Sequence, residues 1–127
     1  MDNDRPNSCI IGVGSNIDAG THIPRMLDLL GRKVRILRVS RFVTTSPIGI
    51  SNQPDFTNGA IRIETRLTVD ELKKLLVCIE DELGRDRTQP KFGPRTIDLD
   101  IVVWNGKIID GDYYEREFLR KSVEEVE

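Results

Sequence analysis

Aromatic residues are scarce in this chain: one tryptophan, two tyrosines and four phenylalanines among 127 residues. A module that reads single-stranded RNA by stacking needs aromatics on its central strands and a basic surface. Here the segment Ala60–Thr65 presents Ile61, Arg62 and Ile63, the segment Cys9–Val13 has no aromatic, and 19 basic against 21 acidic residues give a net charge of -2. Nucleic acid and anionic membrane are therefore not expected partners. Cysteine is rarer still. Cys9 and Cys78 stand far apart in apolar segments with no partner at metal-ligand spacing, so both are read as buried thiols. No apolar run approaches the roughly 20 residues of a membrane span, and the opening MDNDRPN is too polar for a signal sequence. A reducing cytoplasm is the expected setting. The single histidine, His22, is expected on the surface near the first helix.

The length suits one domain, expected over residues 9–127 behind a flexible leader at residues 1–8. Cys9–Val13 reads as a short buried strand ended by Gly14-Ser15-Asn16. Pro24 suits the first turn of a helix whose apolar stripe, Met26, Leu27, Leu29 and Leu30, stops at Gly31. Val34–Val39 with Phe42-Val43 form a second strand, followed by a turn-rich loop from Ser46 to Asp55. Ala60–Thr65 alternates with the period of a half-solvated strand. Thr68 with Glu71 three residues on is a capping box, and Leu72, Leu75, Leu76, Ile79 and Leu83 carry that helix to Gly84. Thr96–Trp104 is a strand closed by the hairpin turn Asn105-Gly106, with a short return at Ile108-Ile109. Phe118, Leu119, Val123 and Val126 share one face of a final helix over 113–127. The order is strand, helix, strand, strand, helix, strand. It predicts a ferredoxin-like α+β sandwich (βαββαβ) with a four-stranded antiparallel sheet, helices on one face and the site on the open face.

Asp98 and Asp100 lie two apart on a strand whose intervening Ile97, Leu99 and Ile101 are apolar. The period-two rule puts both carboxylates on one face. Side by side on a buried-type strand they repel and resist desolvation, so something positive must hold them. One candidate is magnesium bound to phosphate oxygens; a solvent-facing strand with two salt bridges is the other reading of the spacing alone. Arg85, Arg87, Lys91 and Arg95 precede the pair in a glycine- and proline-punctuated loop, and such a loop lets planar guanidinium forks close on a polyphosphate.

The run Lys91-Phe92-Gly93-Pro94-Arg95-Thr96-Ile97-Asp98-Leu99-Asp100-Ile101-Val102 resembles the signature of the 6-hydroxymethyl-7,8-dihydropterin pyrophosphokinases of folate synthesis. Similarity extends to Gly14-Ser15-Asn16, Thr45-Ser46-Pro47-Ile48-Gly49, Gln53-Pro54-Asp55-Phe56-Thr57-Asn58, and Glu80 with Gly84-Arg85-Asp86-Arg87. The resemblance implies a magnesium-dependent enzyme, an ATP-using transferase, that moves diphosphate from ATP to the hydroxymethyl-dihydropterin and releases AMP. It implies that Asp98 and Asp100 hold two Mg2+ ions and that Arg85, Arg95, Asp98 and Asp100 form the catalytic set. Arg85, Arg87, Lys91, Phe92, Arg95, Ile101 and Arg116 would bind ATP. Thr45, Pro47, Ile48, Phe56 and Asn58 would line the pterin pocket, where an aromatic face suits a flat heterocycle and an amide its donor–acceptor edge. The implied partners are these small molecules alone, bound by a monomer.

Three departures from the family pattern stand out. Phe92 occupies a position usually held by tryptophan, Ser46 one often held by proline, and after Ile109 the family's His-Pro-containing loop is missing. Arg116 and Phe118 align with an arginine and a phenylalanine beyond that loop. The missing loop keeps a second reading open: a shortened relative that binds ATP or a pterin without efficient transfer.

Overall fold

The structure, a computed structural model, describes residues 5–127. The first four residues of the expected leader lie outside the described residues, and Asn7 and Ser8 already belong to strand β1 (Asn7–Ser15). Residues of β1 alternate between two apolar layers. Cys9, Ile11 and Val13 enter one core and Ile10 the other, so β1 needs cover on both faces. It is the central strand of an antiparallel sheet, and helices packed on both faces supply that cover.

Helix α1 (Ala19–Gly31) follows β1 and buries Ile23, Met26 and Leu30. It begins well before Pro24, which therefore sits in the helix interior rather than the first turn, where its missing N–H leaves one backbone bond unmade. β2 (Arg35–Val39) and β3 (Val43–Thr45) are two separate strands, both paired with β4 (Phe56–Thr65). β4 starts four residues earlier than its alternation predicts, because Phe56, Thr57 and Asn58 pair with Thr45, Thr44 and Val43. Helix α2 (Val69–Glu82) has the expected capping box, Thr68 Oγ1 accepting from the Glu71 amide at 3.2 Å and Glu71 accepting from the Thr68 amide at 2.8 Å. That arrangement contributes about 1 kcal/mol. Leu72, Leu76 and Ile79 of α2 are buried, each stabilising the fold by roughly 1.5–3 kcal/mol. Cys78 is exposed, contrary to expectation, since it lies outside this stripe; Cys9 is buried and burial pushes its thiol up to about 12.

β5 (Asp98–Trp104) pairs with β1, turns through Asn105 and Gly106, both at positive φ, and returns as β6 (Lys107–Ile108). The expected terminal helix is two, α3 (Asp112–Glu115) and α4 (Glu117–Val126), separated by extended Arg116. Strand order is β2-β4-β1-β5-β6, with β3 also on β4.

The fold is thus a mixed α+β unit on an antiparallel sheet, but the sheet has six strands among the described residues rather than four. Helices cover both faces rather than one. α1 and α2 pack against Ile11, Ile61, Ile63 and Leu99, while Val123 and Val126 of α4 pack against Ile10, Ala60 and Val102 on the other side. Gly12 allows that second layer to approach, since a Cβ there would meet Leu119 at 3.1 Å and Val102 at 3.2 Å. The face expected to be open is therefore half roofed by α4, and what remains uncovered is a cleft. Among the described residues no helix is long and apolar enough to cross a membrane.

Candidate active site

Strand β5 delivers Asp98 and Asp100 to the cleft face while Leu99 and Ile101 enter the α1/α2 core. Asp98 is held between two guanidiniums. Its Oδ1 accepts from Arg85 Nη1 at 3.0 Å and its Oδ2 from Arg95 Nη1 at 2.9 Å. Arg85 is oriented from behind by Glu80, only 4% exposed, whose Oε2 accepts from Arg85 Nη1 at 2.6 Å and from the Leu99 amide at 2.8 Å. Glu80 Oε1 accepts from Arg87 Nη2 at 3.0 Å, and Arg87 Nε reaches Asp81 at 2.9 Å. One buried carboxylate thus spans two arginines and the strand itself, which rigidifies the backbone beside Asp98.

Asp100 differs. Its outer edge meets solvent, yet the packed cleft strips it of part of its hydration, and Asp98, Asp110 and Glu80 add negative charge against a weaker pull from Arg85. The carboxyl is pushed up to about 7. An anion so disfavoured is suited to a cation. Among the described residues no three His, Cys, Asp or Glu side chains are placed to hold a metal unaided. Two carboxylates on an open cleft match magnesium, which takes one or two protein carboxylates and completes its shell with water and phosphate oxygens.

A cavity of about 320 Å3 opens on this face. Its floor includes Gly14; Thr45, Ile48, Phe56 and Asn58 form one wall, and Phe118, Leu119 and Ser122 come from α4. Asn58 Nδ2 donates to Thr45 Oγ1 at 2.5 Å, so two of the expected pterin residues fix each other's direction. Arg85, Arg95, Lys91, Phe92 and Arg116 line the side toward Asp98 and Asp100. The Phe92 ring has Lys91 Nζ 5.2 Å and Arg116 Cζ 5.8 Å from its centroid, within reach of a cation–π attraction. Phe92 adopts φ 69, unusual for a bulky residue, and packs on Gly49, where a Cβ would come within 3.0 Å of the ring.

A second groove, about 480 Å3, lies beyond the aspartates and is lined by Lys73, Val77, Ile101, Ile109 and Arg87. Arg85, Asp98, Asp100 and Asp110 border both spaces. Ile101 and Arg87 therefore stand in the groove, away from the cavity that gathers the other site residues, and Pro47 lines neither.

The loop carrying Ile48 and the loop carrying Arg95 are tied by amides. Asn16, 6% exposed, accepts from the Arg95 amide at 2.8 Å and donates to Gln53 Oε1 at 2.8 Å and to the Pro54 carbonyl at 3.0 Å. Gln53 in turn donates to the carbonyls of Ile50 at 2.8 Å and Phe92 at 2.6 Å. Sequence reasoning assigned Asn16, Gln53 and Glu80 no task and left Asp110 and Ser122 unmentioned. Glu80 was marked only as part of the family resemblance, and its physical signal was a carboxylate at a core-facing helical position beside Ile79.

The family described as 7,8-dihydro-6-hydroxymethylpterin-pyrophosphokinase (HPPK) matches residues 10–127. The chain is 37% identical over 131 residues to the 2-amino-4-hydroxy-6-hydroxymethyldihydropteridine pyrophosphokinase of Bacillus subtilis (strain 168), covering 94% of this chain and 78% of that protein. It is 35% identical over 103 residues to the protein of the same name from Pseudomonas aeruginosa, covering 79% of this chain and 63% of that one. With the folic acid synthesis protein fol1 of Schizosaccharomyces pombe it shares 38% identity over 105 residues, 80% of this chain but 14% of the larger protein. With a match that runs through Asp98, Asp100 and the arginines about them, the chain belongs to the 7,8-dihydro-6-hydroxymethylpterin pyrophosphokinase family.

Proposed function

We propose that this family member transfers diphosphate from ATP to 6-hydroxymethyl-7,8-dihydropterin, with Asp98 and Asp100 holding two magnesium ions between the substrates. The observation that carries this arrangement is the position of Arg85, Asp98 and Asp100 on the divide between the cavity and the groove. The pterin ring fits the cavity, stacked on Phe56 and Phe118 and read by Asn58 and Thr45. The base and ribose of ATP occupy the groove, where Val77 and Ile109, 43% and 44% exposed, are apolar side chains otherwise left in water. The triphosphate then crosses the divide past Arg85, Arg95, Lys91 and Arg116.

In the transfer the pterin hydroxymethyl oxygen forms a bond to the β-phosphorus as the bond from that phosphorus to the oxygen bridging to the α-phosphorus breaks. AMP leaves with the bond's electron pair, and the hydroxyl proton passes to solvent. When bound, magnesium supplies positive charge at the phosphate oxygens. Arg85 and Arg95 give up part of their pairing with Asp98 and turn their free N–H groups to the transferring diphosphate, while Glu80 keeps Arg85 in place. Phe92 and the loop bearing it exclude water from the cavity mouth, and Asn58 fixes the ring so that the hydroxymethyl group faces the divide. No covalent intermediate with the protein is required.

Steady-state release of AMP and pterin diphosphate from ATP, magnesium and the reduced pterin tests the assignment. Turnover is expected. Binding of both substrates without AMP would instead establish the reading in which the missing loop has cost the chain its transfer step. The protein is expected to act as a monomer in the cytoplasm.

A further inference from the structure

Four side chains border both the cavity and the groove: Arg85, Asp98, Asp100 and Asp110. The first three have tasks in the reaction described above. Asp110 has none, although the diphosphate must pass through the same gap. It is placed there by the β5–β6 hairpin, whose ladder runs on through the Ile109 amide to the Val102 carbonyl at 2.8 Å and then releases the chain over the divide. Its Oδ1 accepts from the Asp112 amide at 2.9 Å, which fixes the side chain's direction while leaving the other oxygen uncommitted to that bond.

The charges of the neighbouring acids are compensated differently. Asp98 is paired with two arginines, and Asp112 lies 3.9 Å from Arg116. Asp110 forms no ion pair among the described residues. Its negative charge therefore acts on whatever occupies the divide. It would repel bare triphosphate and attract a divalent cation. No group of three acids is close enough to ligate one metal together, so Asp110 would act across a shell of water rather than as a direct ligand.

We propose that Asp110 is a positioning residue that makes the site select the magnesium complex of the nucleotide over the free nucleotide. The proposal rests on the reading that Asp98 and Asp100 hold the metal. Its signature is a change of opposite sign for two ligands. Asp110→Asn keeps an oxygen for the Asp112 amide and removes only the charge. It should weaken binding of the magnesium complex of a non-hydrolysable ATP analogue about three- to tenfold, and leave binding of the metal-free analogue unchanged or tighter.

Calorimetric titration of wild type and Asp110→Asn with the analogue, in excess magnesium and in chelator, measures both affinities without turnover. Asp110→Glu, which keeps the charge, should retain the wild-type preference for the magnesium complex. A parallel loss for both ligands would make Asp110 a merely structural residue and overturn the proposal, as would an unchanged magnesium preference. If wild type itself shows no magnesium preference, the metal assignment to Asp98 and Asp100 fails as well, whereas a preference present in wild type and undiminished in Asp110→Asn sinks this inference alone.

Discussion

The side-chain amides of Asn16 and Gln53 meet at 2.8 Å, and together with their bonds to the Arg95 amide and the Phe92 carbonyl they join the loop that carries Ile48 to the loop that carries Arg95 and Phe92. Both amides are saturated by backbone groups on either side, so neither loop can shift without breaking several bonds at once. Gln53→Ala should lower turnover by about tenfold or more and weaken both substrates, because it frees the Phe92 carbonyl and the Asn16 amide together. Steady-state kinetics with varied pterin and varied ATP will show it; a loss confined to one substrate would mean that the two loops are independent.

Asp98 and Asp100 should separate in metal-free stability although one metal site is proposed for both. Asp98→Asn leaves Arg85 and Arg95, with side chains 16% and 20% exposed, short of an anion and should lower the melting temperature by several degrees. Asp100→Asn relieves repulsion and should leave it unchanged or raise it. Both should abolish the further stabilisation by magnesium and ATP. Melts of the two variants with and without ligand are the measurement, and a persisting ligand shift would defeat the metal assignment.

Burial of Asp100, reinforced by the repulsion from Asp98, sets a pH dependence. Folding raises the Asp100 carboxyl from 3.8 to about 7, so the native state binds a proton that the unfolded state has already lost in that window. Stability contributed by the protonated form is full below 3.8 and is lost as pH rises toward and through about 7. The metal-free protein should therefore melt lower at about pH 8 than at about pH 5. Asp100→Asn should flatten that slope, and an identical slope in the variant would show that other groups govern it.

Asn58→Ala should weaken pterin binding far more than ATP binding. Asn58 is tied to Thr45 at the cavity wall and borders no part of the groove, so its removal leaves the heterocycle's polar edge unpaired without touching the nucleotide. Separate calorimetric titrations decide the matter, with equal losses pointing to a structural asparagine.

Arg116 stands on the extended residue between α3 and α4, against the Phe92 ring and on the cavity wall. Among the described residues Arg85, Lys91 and Arg95 are the other cations that line this cavity. Arg116→Ala should reduce turnover at least several-fold at saturating substrates while barely changing pterin affinity. AMP release by the variant equal to that of wild type would remove Arg116 from the reaction.

Much of this was legible in local pattern. The Thr68–Glu71 box and the leucine stripe specify α2, Asn105-Gly106 specifies the hairpin, and Asp-x-Asp with apolar neighbours specifies two carboxylates on one face, because each rests on residues within a turn or two of one another. Period also explains why Cys78 was misjudged: an apolar neighbourhood in sequence is not an apolar face of a helix. Other features depend on distant pairings. Phe56–Asn58 became strand because β3 pairs with it, and the sheet grew to six strands because Val43–Thr45 and Lys107–Ile108 found edges to join.

The sequence by itself determined the first two helices, the central strands, the acid pair and the family. Only the tertiary structure decided that α4 roofs the second face, that Glu80 anchors two arginines, that Asn16 and Gln53 tie two loops, and that Asp110 reaches the divide. The physical reason is the range of the forces concerned. Periodicity and capping act over neighbours along the chain, whereas a buried carboxylate or amide is selected by partners up to 79 residues away, as Asn16 is by the Arg95 amide, and those partners meet only after the sheet has closed.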